Sequence, residues 1–280
     1  MQGKIIKILS NDYTVLANNK KYICKSRGKF RKQNIVPLVG DNVVFDSVNN
    51  YILEIQERKN SLVRPPVSNV DQVIIITSVK DPDFSTNLLD KLIMIVEYNN
   101  ITPIICFTKL DLLDDKTVIN NYINYYKKIG YKVFINTEIE DIKECLKNKI
   151  SVFTGQSGAG KSTLLNKIDN ALKLKTDQIS YALGRGKHTT RHTELLEICG
   201  GLVADTPGFS SLDLNDIPLT AIRDNFIEFN EFKDNCKYRD CMHDKEDCCQ
   251  IKDNVEKGII LKSRYENYLN FIHMERKSRW

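Results

Sequence analysis

The sequence predicts an α/β domain with a parallel sheet, preceded by an OB-type β-barrel and followed by a helical, cysteine-bearing domain. Three observations predict this order: short β-rich runs come first, strand-like and helical runs then alternate, and four cysteines lie close together near the end. With 280 residues, of which 41% are hydrophobic, the chain is long enough for several packed domains and too apolar for a disordered protein. The predicted domain boundaries are 1–65, 66–217 and 218–280.

The first domain is predicted from runs of strand-forming residues at 3–8, 13–16, 21–24, 42–45 and 51–55. Short strands so closely spaced are typical of the oligonucleotide-binding barrel. Residues 1–70 carry 12 Lys and Arg against 5 Asp and Glu, and residues 20–32 hold seven basic side chains with Tyr22 and Phe30 among them. Positive charge follows a phosphate backbone and aromatic rings stack on bases, so residues 20–32 are predicted to contact RNA. A solvated basic loop is the alternative.

The α/β domain is predicted from strand-like runs at 73–76, 101–107, 133–135 and 152–153, which alternate with helical runs at 88–98, 118–126 and 142–146. Such alternation favours a parallel sheet with helices on both faces. Residues 60–72, with paired prolines and several turn residues, are predicted to be a linker from the barrel.

A phosphate-binding loop is predicted where G-x-x-x-x-G-K-S follows a strand and precedes a helical run at 163–172. Its glycines let backbone N–H groups surround phosphate oxygens, Lys161 neutralises the β and γ oxygens, and Ser162 can hold Mg²⁺. The predicted nucleotide-binding residues here are Gly155, Gln156, Ser157, Gly158, Ala159, Gly160, Lys161, Ser162 and Thr163.

A base-recognition loop is predicted at Thr108, Lys109, Leu110 and Asp111, after the apolar run 101–107. A carboxylate at this strand end can accept hydrogen bonds from the N1–H and the N2 amino group of guanine, which adenine does not offer, while Lys109 would lie over the ring. Such a tetrapeptide alone is a weak signal, but beside a phosphate loop it favours guanine over the adenine site of an ATPase or kinase.

A second switch-like loop, Asp205-Thr-Pro-Gly208, follows a strand at 201–204. Asp205 would reach the Mg²⁺ shell and the Gly208 N–H would face the γ-phosphate. In an ordinary GTPase the phosphate loop comes first and the base motif last, whereas here the base motif comes first. The α/β domain is therefore predicted to be a circularly permuted P-loop GTPase domain.

The glycine-rich, basic segment 184–192 supplies the remaining predicted site residues. Thr190, or alternatively Thr189, would complete the Mg²⁺ shell beside Ser162. Phe209 stands where many GTPases place the glutamine that orients the attacking water, so hydrolysis by the isolated protein is expected to be slow. His188 is the predicted catalytic residue that would position this water or accept its proton, with Lys161 stabilising the transferred phosphoryl group.

A structural zinc site is predicted from Cys236-x4-Cys241-x-His243-x5-Cys249. Three thiolates and an imidazole at this spacing suit one zinc ion with no open coordination position. Cys248 is an alternative to Cys249 on spacing alone. A run of about 18 apolar residues that could span a bilayer is absent, and so is a signal peptide, so we expect a cytoplasmic protein without a membrane partner. We also expect a monomer.

Together these features resemble the bacterial ribosome small-subunit-dependent GTPase A family over essentially the whole chain. The matching segments are 155–162, Lys187-His-Thr-Thr190, 205–208, 236–243 and Arg264-Tyr-Glu-Asn-Tyr268, in the permuted order. The resemblance implies an enzyme that converts GTP to GDP and phosphate, binds the small ribosomal subunit and its rRNA, is stimulated by that subunit and acts in its late assembly.

The same resemblance implies a role for His188 in hydrolysis, and it favours Cys249 over Cys248 as the fourth zinc ligand. The TKxD base motif departs from the commoner NKxD, so one hydrogen bond that stabilises the nucleotide loops is expected to differ. Residues 136–137 are expected to form the second base-contacting loop. A nucleotide-binding rRNA scaffold without catalysis is the alternative function.

Overall fold

The computed structural model describes residues 1–26, 30, 36–63, 65–170, 172, 194–205, 214 and 217–278. Within this part of the chain there are a closed β-barrel, a six-stranded sheet covered by helices on both faces, and a C-terminal group of helices. None of the helices in the described ranges combines the length and the apolar character needed to cross a bilayer.

The barrel is confirmed, with each strand within two residues of its predicted ends. Its strands are β1 (Gln2–Leu9), β2 (Asp12–Ala17), β3 (Lys20–Ser26), β4 (Asn42–Asp46) and β5 (Tyr51–Ile55). They close in the order β1-β2-β3-β5-β4, and the β3–β5 pair alone is parallel. Because side chains alternate between the two faces of a strand, Val15, Val43 and Ile52 fill the interior of the barrel.

The proline-containing segment after the barrel is folded, in contrast to the predicted linker. Two short strands, β6 (Ser61–Leu62) and β7 (Val67–Ser68), pair as a hairpin. Asp41, buried at the base of the barrel, accepts hydrogen bonds from Arg58 (2.7 and 2.8 Å) and from Ser68 Oγ (2.6 Å). A buried carboxylate with these partners holds the hairpin against the barrel.

The central sheet has the strand order β10-β9-β8-β11-β13-β12, and its pairs are parallel except that β12 runs antiparallel to β13. Its strands are β8 (Gln72–Ser78), β9 (Thr102–Thr108), β10 (Lys132–Ile135), β11 (Ile150–Gly155), β12 (Leu195–Ile198) and β13 (Gly201–Asp205). The edge strand β12 is an addition to the predicted elements.

Helices cover both faces of the sheet, as predicted, and alternate residues of β8 belong to two cores. They are α1 (Thr86–Tyr98), α2 (Thr117–Lys128), α3 (Ile139–Leu146) and α4 (Lys161–Ile168). Ile75 lies in the core beneath α1 and α2, whereas Ile74 lies in the core beneath α3 and α4. A strand buried on both faces reads as a continuous apolar run, which is why β8 was predictable.

The C-terminal region packs on the α1 side of the sheet. It contains α5 (Leu219–Asp224), two 3-10 turns (Ile227–Glu231 and Lys233–Asn235), α6 (Gln250–Glu256) and α7 (Lys262–Ser278). On α7, Tyr268 and Ile272 are fully buried, and α7 packs against both α1 and α5. Tyr268 and Ile272, one helical turn apart, therefore belong to the hydrophobic core.

Candidate nucleotide site and metal centre

The two predicted nucleotide loops meet at one edge of the sheet. The base loop follows β9 and the phosphate loop follows β11, and both strands pair in parallel with β8 between them. The carboxyl ends of parallel strands lie at the same edge, so the permuted chain order brings residues 108–111 and 155–162 together.

Glycines of the predicted phosphate loop adopt backbone conformations with positive φ. Gly155 has a φ of +150°, and a Cβ added there would lie 2.2 Å from the Ile76 carbonyl oxygen. Gly160, with a φ of +93°, immediately precedes α4, so Lys161 and Ser162 begin the helix. The N–H groups of this first turn can bind an anion. Gln156, Ser157, Gly158 and Thr163 are exposed, whereas Ala159 is buried.

Thr108 connects the two loops directly. Its Oγ1 donates a hydrogen bond to the Ala159 carbonyl oxygen (2.6 Å), and the side chain is 1% exposed. The difference expected from the TKxD motif is thus specific: a threonine hydroxyl makes the bond between the base loop and the phosphate loop. A buried hydroxyl bond of this length fixes the relative position of the two backbones.

The remaining residues of the base loop are arranged around a tight turn. Lys109 has a φ of +63°, and its Nζ donates to the backbone carbonyl of Asp81. Leu110 is buried beneath the loop and Asp111 is exposed in the 3-10 turn Leu110–Leu112. This places the Asp111 carboxylate where a base could approach from solvent.

The loop that follows β10, which carries the residues expected to form the second base-contacting segment, begins beside the end of β9. The Asn136 N–H donates to the Phe107 carbonyl oxygen at 2.9 Å. Residues 136–137 therefore begin next to the carboxyl end of β9.

A third loop, residues 79–85, also borders the site and was missed from the sequence. Its Asp81 carbonyl oxygen accepts a hydrogen bond from Lys109 Nζ, and a Cβ built on Gly158 would lie 3.6 Å from Pro82 Cδ. The available signal was the Asp-Pro-Asp turn directly after the buried strand β8. The loop connects β8 to α1, whose first turn is capped by Ser85 Oγ accepting from the Leu88 N–H (3.2 Å).

Several predicted switch residues fall beyond the part of the chain that the structure describes. His188, Thr190 and Gly208 lie outside the described residues. The backbone of Asp205 ends β13 and pairs with Phe153 of β11. This pairing puts the end of β13 beside the end of β11, from which the predicted phosphate loop continues.

The predicted metal ligands come together in the C-terminal region. The ligand atoms of Cys236, Cys241, His243 and Cys249 all lie within 4.8 Å of one another. His243 Nδ1 is 3.7 Å from Cys236 Sγ and 3.4 Å from Cys249 Sγ. Tetrahedral zinc with ordinary bond lengths separates a sulfur and a nitrogen ligand by about 3.6 Å. Cys248 is exposed and lies outside this cluster.

The pKa values of the clustered imidazole and thiol groups are also consistent with a bound cation. Burial lowers the pKa of His243 to about 4, so its imidazole is neutral. Burial raises the pKa of Cys241 to about 12, so thiolates at this spacing need a neighbouring positive charge. Neutral imidazole with thiolates is the donor set that zinc prefers. The donor set and spacing therefore fit a structural metal ion.

Helix α7 contacts the metal-binding loop, residues 236–249, through two side-chain hydroxyls. Tyr265 OH donates to the His243 carbonyl (2.7 Å) and Tyr268 OH donates to the Met242 carbonyl. The Glu246 carboxylate accepts from the backbone N–H groups of Met242 and Asp244 (both 2.9 Å). Bonds of this kind orient metal ligands before the metal arrives.

The predicted RNA-contacting segment is partly described, and its aromatic residues do not behave as expected. Phe30 is buried in the barrel core, so its ring cannot stack on a base, and Tyr22 is half-buried against Phe45 of the same core. On β3, Lys21 and Lys25 point outward with Ile23, which is 65% exposed. Lys25 pairs with Asp12 (3.2 Å), and Lys21 pairs with Glu197 of β12 (3.1 Å).

Comparisons with known proteins agree with these observations. Residues 55–215 match the family model described as RsgA GTPase, and residues 2–52 match the one described as RsgA N-terminal domain. A relative from a Geobacillus species, named "Small ribosomal subunit biogenesis GTPase RsgA", is 51% identical over 291 residues, covering 100% of this chain and 99% of the relative. A relative of the same name from Bacillus velezensis is 49% identical over 294 residues, with 100% and 99% covered.

Two solved structures are similar along nearly the whole chain. One is described as "The crystal structure of YloQ, a circularly permuted GTPase"; it is 41% identical with a TM-score of 0.86 and covers 99% of this chain and 95% of that one. The other is YjeQ from Thermotoga maritima, 36% identical with a TM-score of 0.86 and 98% of each chain covered. The permuted order of the two nucleotide loops agrees with the first description.

Proposed function

The chain belongs to the RsgA GTPase family, and we propose that this GTP-hydrolysing enzyme of ribosome biogenesis binds the small ribosomal subunit, is stimulated by it and acts late in its assembly. The observation that carries the site assignment is the Thr108–Ala159 hydrogen bond, which joins a base loop to a phosphate loop at one sheet edge. The full-length similarity to relatives named for small-subunit biogenesis supports the rest.

In the proposed reaction a water attacks the γ-phosphorus in line, and the β–γ bridging oxygen leaves with GDP. Asp111 reads the guanine edge, and the backbone N–H groups of 155–162 with Lys161 hold the phosphates. Ser162, Asp205 and Thr190 would hold Mg²⁺, which neutralises charge on the β and γ oxygens when bound. His188 would orient the water, because Phe209 cannot.

We assign one role to each predicted domain: residues 1–65 contact rRNA, 66–217 bind and hydrolyse GTP, and 218–280 are stabilised by zinc on Cys236, Cys241, His243 and Cys249. The acting unit is a single chain in the cytoplasm, where the small subunit is assembled. The basic outward face of β3 supports the rRNA assignment, although Lys21 and Lys25 would have to exchange their present carboxylate partners for phosphates.

The experiment that tests this function is GTP turnover by the full-length protein, with and without purified small ribosomal subunits. We expect slow turnover alone, clear acceleration by small subunits, and loss of both in a Lys161→Ala variant. Large ribosomal subunits at the same concentration control for general RNA effects. Turnover that is indifferent to small subunits would remove the proposed partner, and absent single-turnover hydrolysis would instead favour a non-catalytic rRNA scaffold.

The base assignment has its own test. Asp111→Asn reverses the hydrogen-bonding sense of the side chain, so preference is expected to shift from guanine to xanthine nucleotides. Competition of GDP and XDP for a fluorescent nucleotide measures the shift, with the neighbouring exposed Asp114→Asn as the matched control. An unchanged preference for GDP would show that another group reads the base.

A further inference from the structure

The most deeply buried ionic group in the described part of the chain joins the metal-bearing region to the nucleotide domain. Arg264 of α7 is 1% exposed. Its Nη1 donates to Asp90 Oδ1 of α1 at 2.8 Å, while Nε and Nη2 donate to the two carboxylate oxygens of Glu228, both at 2.7 Å. Glu228 belongs to the C-terminal region itself, so the Asp90 contact is the one that crosses between the two regions.

Asp90 is held from three directions. Besides Arg264 it accepts from Tyr126 OH of α2 and from Asn267 Nδ2 of α7, each at 2.6 Å. Asn267 in turn accepts from Asn87 Nδ2 of α1 at 3.1 Å. Buried charges of this kind are costly to leave unpaired, so the cluster determines where α7 sits against α1.

The N-terminal end of α1, close to Asp90, reaches the nucleotide site. Asp90 lies five residues after the cap Ser85, which is about 7.5 Å along the helix at the usual rise per residue. Ser85 ends the 79–85 loop, in which the Asp81 carbonyl accepts a hydrogen bond from Lys109 and Pro82 faces Gly158. A helix moves as a rod over this distance, so a displacement at Asp90 is passed to the loop.

The same N-terminal turns of α7 that carry Arg264 also reach the metal centre, because the hydroxyls of Tyr265 and Tyr268 donate to the carbonyls of His243 and Met242. The metal-binding loop, α7, α1 and the 79–85 loop therefore form consecutive contacts up to both nucleotide loops. This route uses no residue of the two switch segments.

We propose that Arg264 is a positioning residue of the nucleotide site: by docking the C-terminal region on α1, it holds the 79–85 loop against Lys109 and the phosphate loop and thereby slows release of guanine nucleotide. The inference rests on the proposed GTPase function. A partner that pulls the metal-bearing region away from α1 would accelerate release and weaken nucleotide binding, and by reciprocity of the binding free energies the nucleotide would favour the docked arrangement.

The test is the release rate of a fluorescent GDP analogue from full-length variants, chased with unlabelled GDP. Asp90→Asn weakens the contact across the two regions, because the amide carries no charge for Arg264. Glu228→Gln is the matched control: it neutralises the other carboxylate on Arg264 and leaves the Asp90 contact intact. We expect Asp90→Asn to release the analogue roughly fivefold faster or more, a typical coupling between sites, and Glu228→Gln to release it at nearly the wild-type rate.

Thermal unfolding of both variants separates positioning from general loss of stability. The proposal is overturned if Asp90→Asn lowers the Tm but releases the analogue at the wild-type rate, or if both variants accelerate release equally. If Asp90→Asn does not fold, Asn87→Ala removes a single bond of the cluster, and we expect release about twofold faster or more; an unchanged rate then overturns the proposal. A wild-type protein that fails to bind the analogue would count against the GTPase assignment instead.

Discussion

The bond between the base loop and the phosphate loop gives the sharpest prediction. Thr108→Val keeps the size and shape of the side chain and removes only the hydroxyl that donates to the Ala159 carbonyl at 2.6 Å. In the proposed function the two loops contact different parts of one nucleotide, so without the bond part of the binding free energy would be used to order them. We therefore expect weaker nucleotide binding in a protein that still folds.

The magnitude follows from the burial of the bond. A typical hydrogen bond contributes about 1 kcal/mol net, and a buried partner left unsatisfied costs up to about 3 kcal/mol. Since Thr108 is 1% exposed, the loss lies within this range. If it falls on the bound state, the Kd for GDP rises by about fivefold to a hundredfold, because each 1.4 kcal/mol is a factor of about ten.

Titration with a fluorescent GDP analogue measures this Kd, and urea unfolding measures the change in stability. Thr102→Val is the matched control, because it makes the same substitution at the exposed beginning of the same strand. Thr108→Asn restores a donor and is expected to recover most of the affinity. The idea that this bond holds the two loops ready for nucleotide would be refuted by two results together: a Kd of Thr108→Val equal to that of Thr102→Val, and a free energy of unfolding lowered as expected for the loss of a buried hydrogen bond.

Two further substitutions and a metal measurement test other parts of the structure. Gly155→Ala combines a positive φ with a collision against the Ile76 carbonyl oxygen and should abolish nucleotide binding. Gly130→Ala, where φ is +109° and no atom lies within 4 Å, should lower the free energy of unfolding in urea by only about 1 kcal/mol. Equal losses of nucleotide binding and of stability in the two variants would show that the backbone of the phosphate loop adjusts. Cys249→Ser should lose one equivalent of zinc in a colorimetric assay and have a lower Tm, whereas Cys248→Ser should keep its zinc. Loss of zinc in Cys248→Ser alone would show that Cys248 and not Cys249 is the fourth ligand.

Features encoded by nearby residues were predictable. The barrel strands, β8, β9 and β11 are visible as apolar or alternating runs, and the nucleotide loops are recognisable because each follows such a strand. The cluster at Cys236 was equally accessible, because its ligands lie close together in the chain. In these cases the spacing alone carries the chemistry.

Features that depend on residues far apart in the chain could not be predicted from the sequence. The edge strand β12 has only four residues, and the hairpin at 61–68 carries prolines that favour a linker reading. Arg264 meets Glu228 and Asp90 across 36 and 174 residues of chain, a pairing that no local pattern reveals. The inward position of Phe30 was missed for the same reason, since it depends on closure of the barrel.

Strand β12 has a consequence for how the protein can be divided. It forms one of the two outer edges of the central sheet, and β1 of the barrel meets this edge just before β12, through a backbone bridge between Lys7 and Glu194 and an ion pair of 2.6 Å between their side chains. An uncovered edge strand is a template for pairing with other chains. Removal of the barrel would uncover this part of the edge, and we therefore expect the remaining domain to aggregate more readily than the full chain.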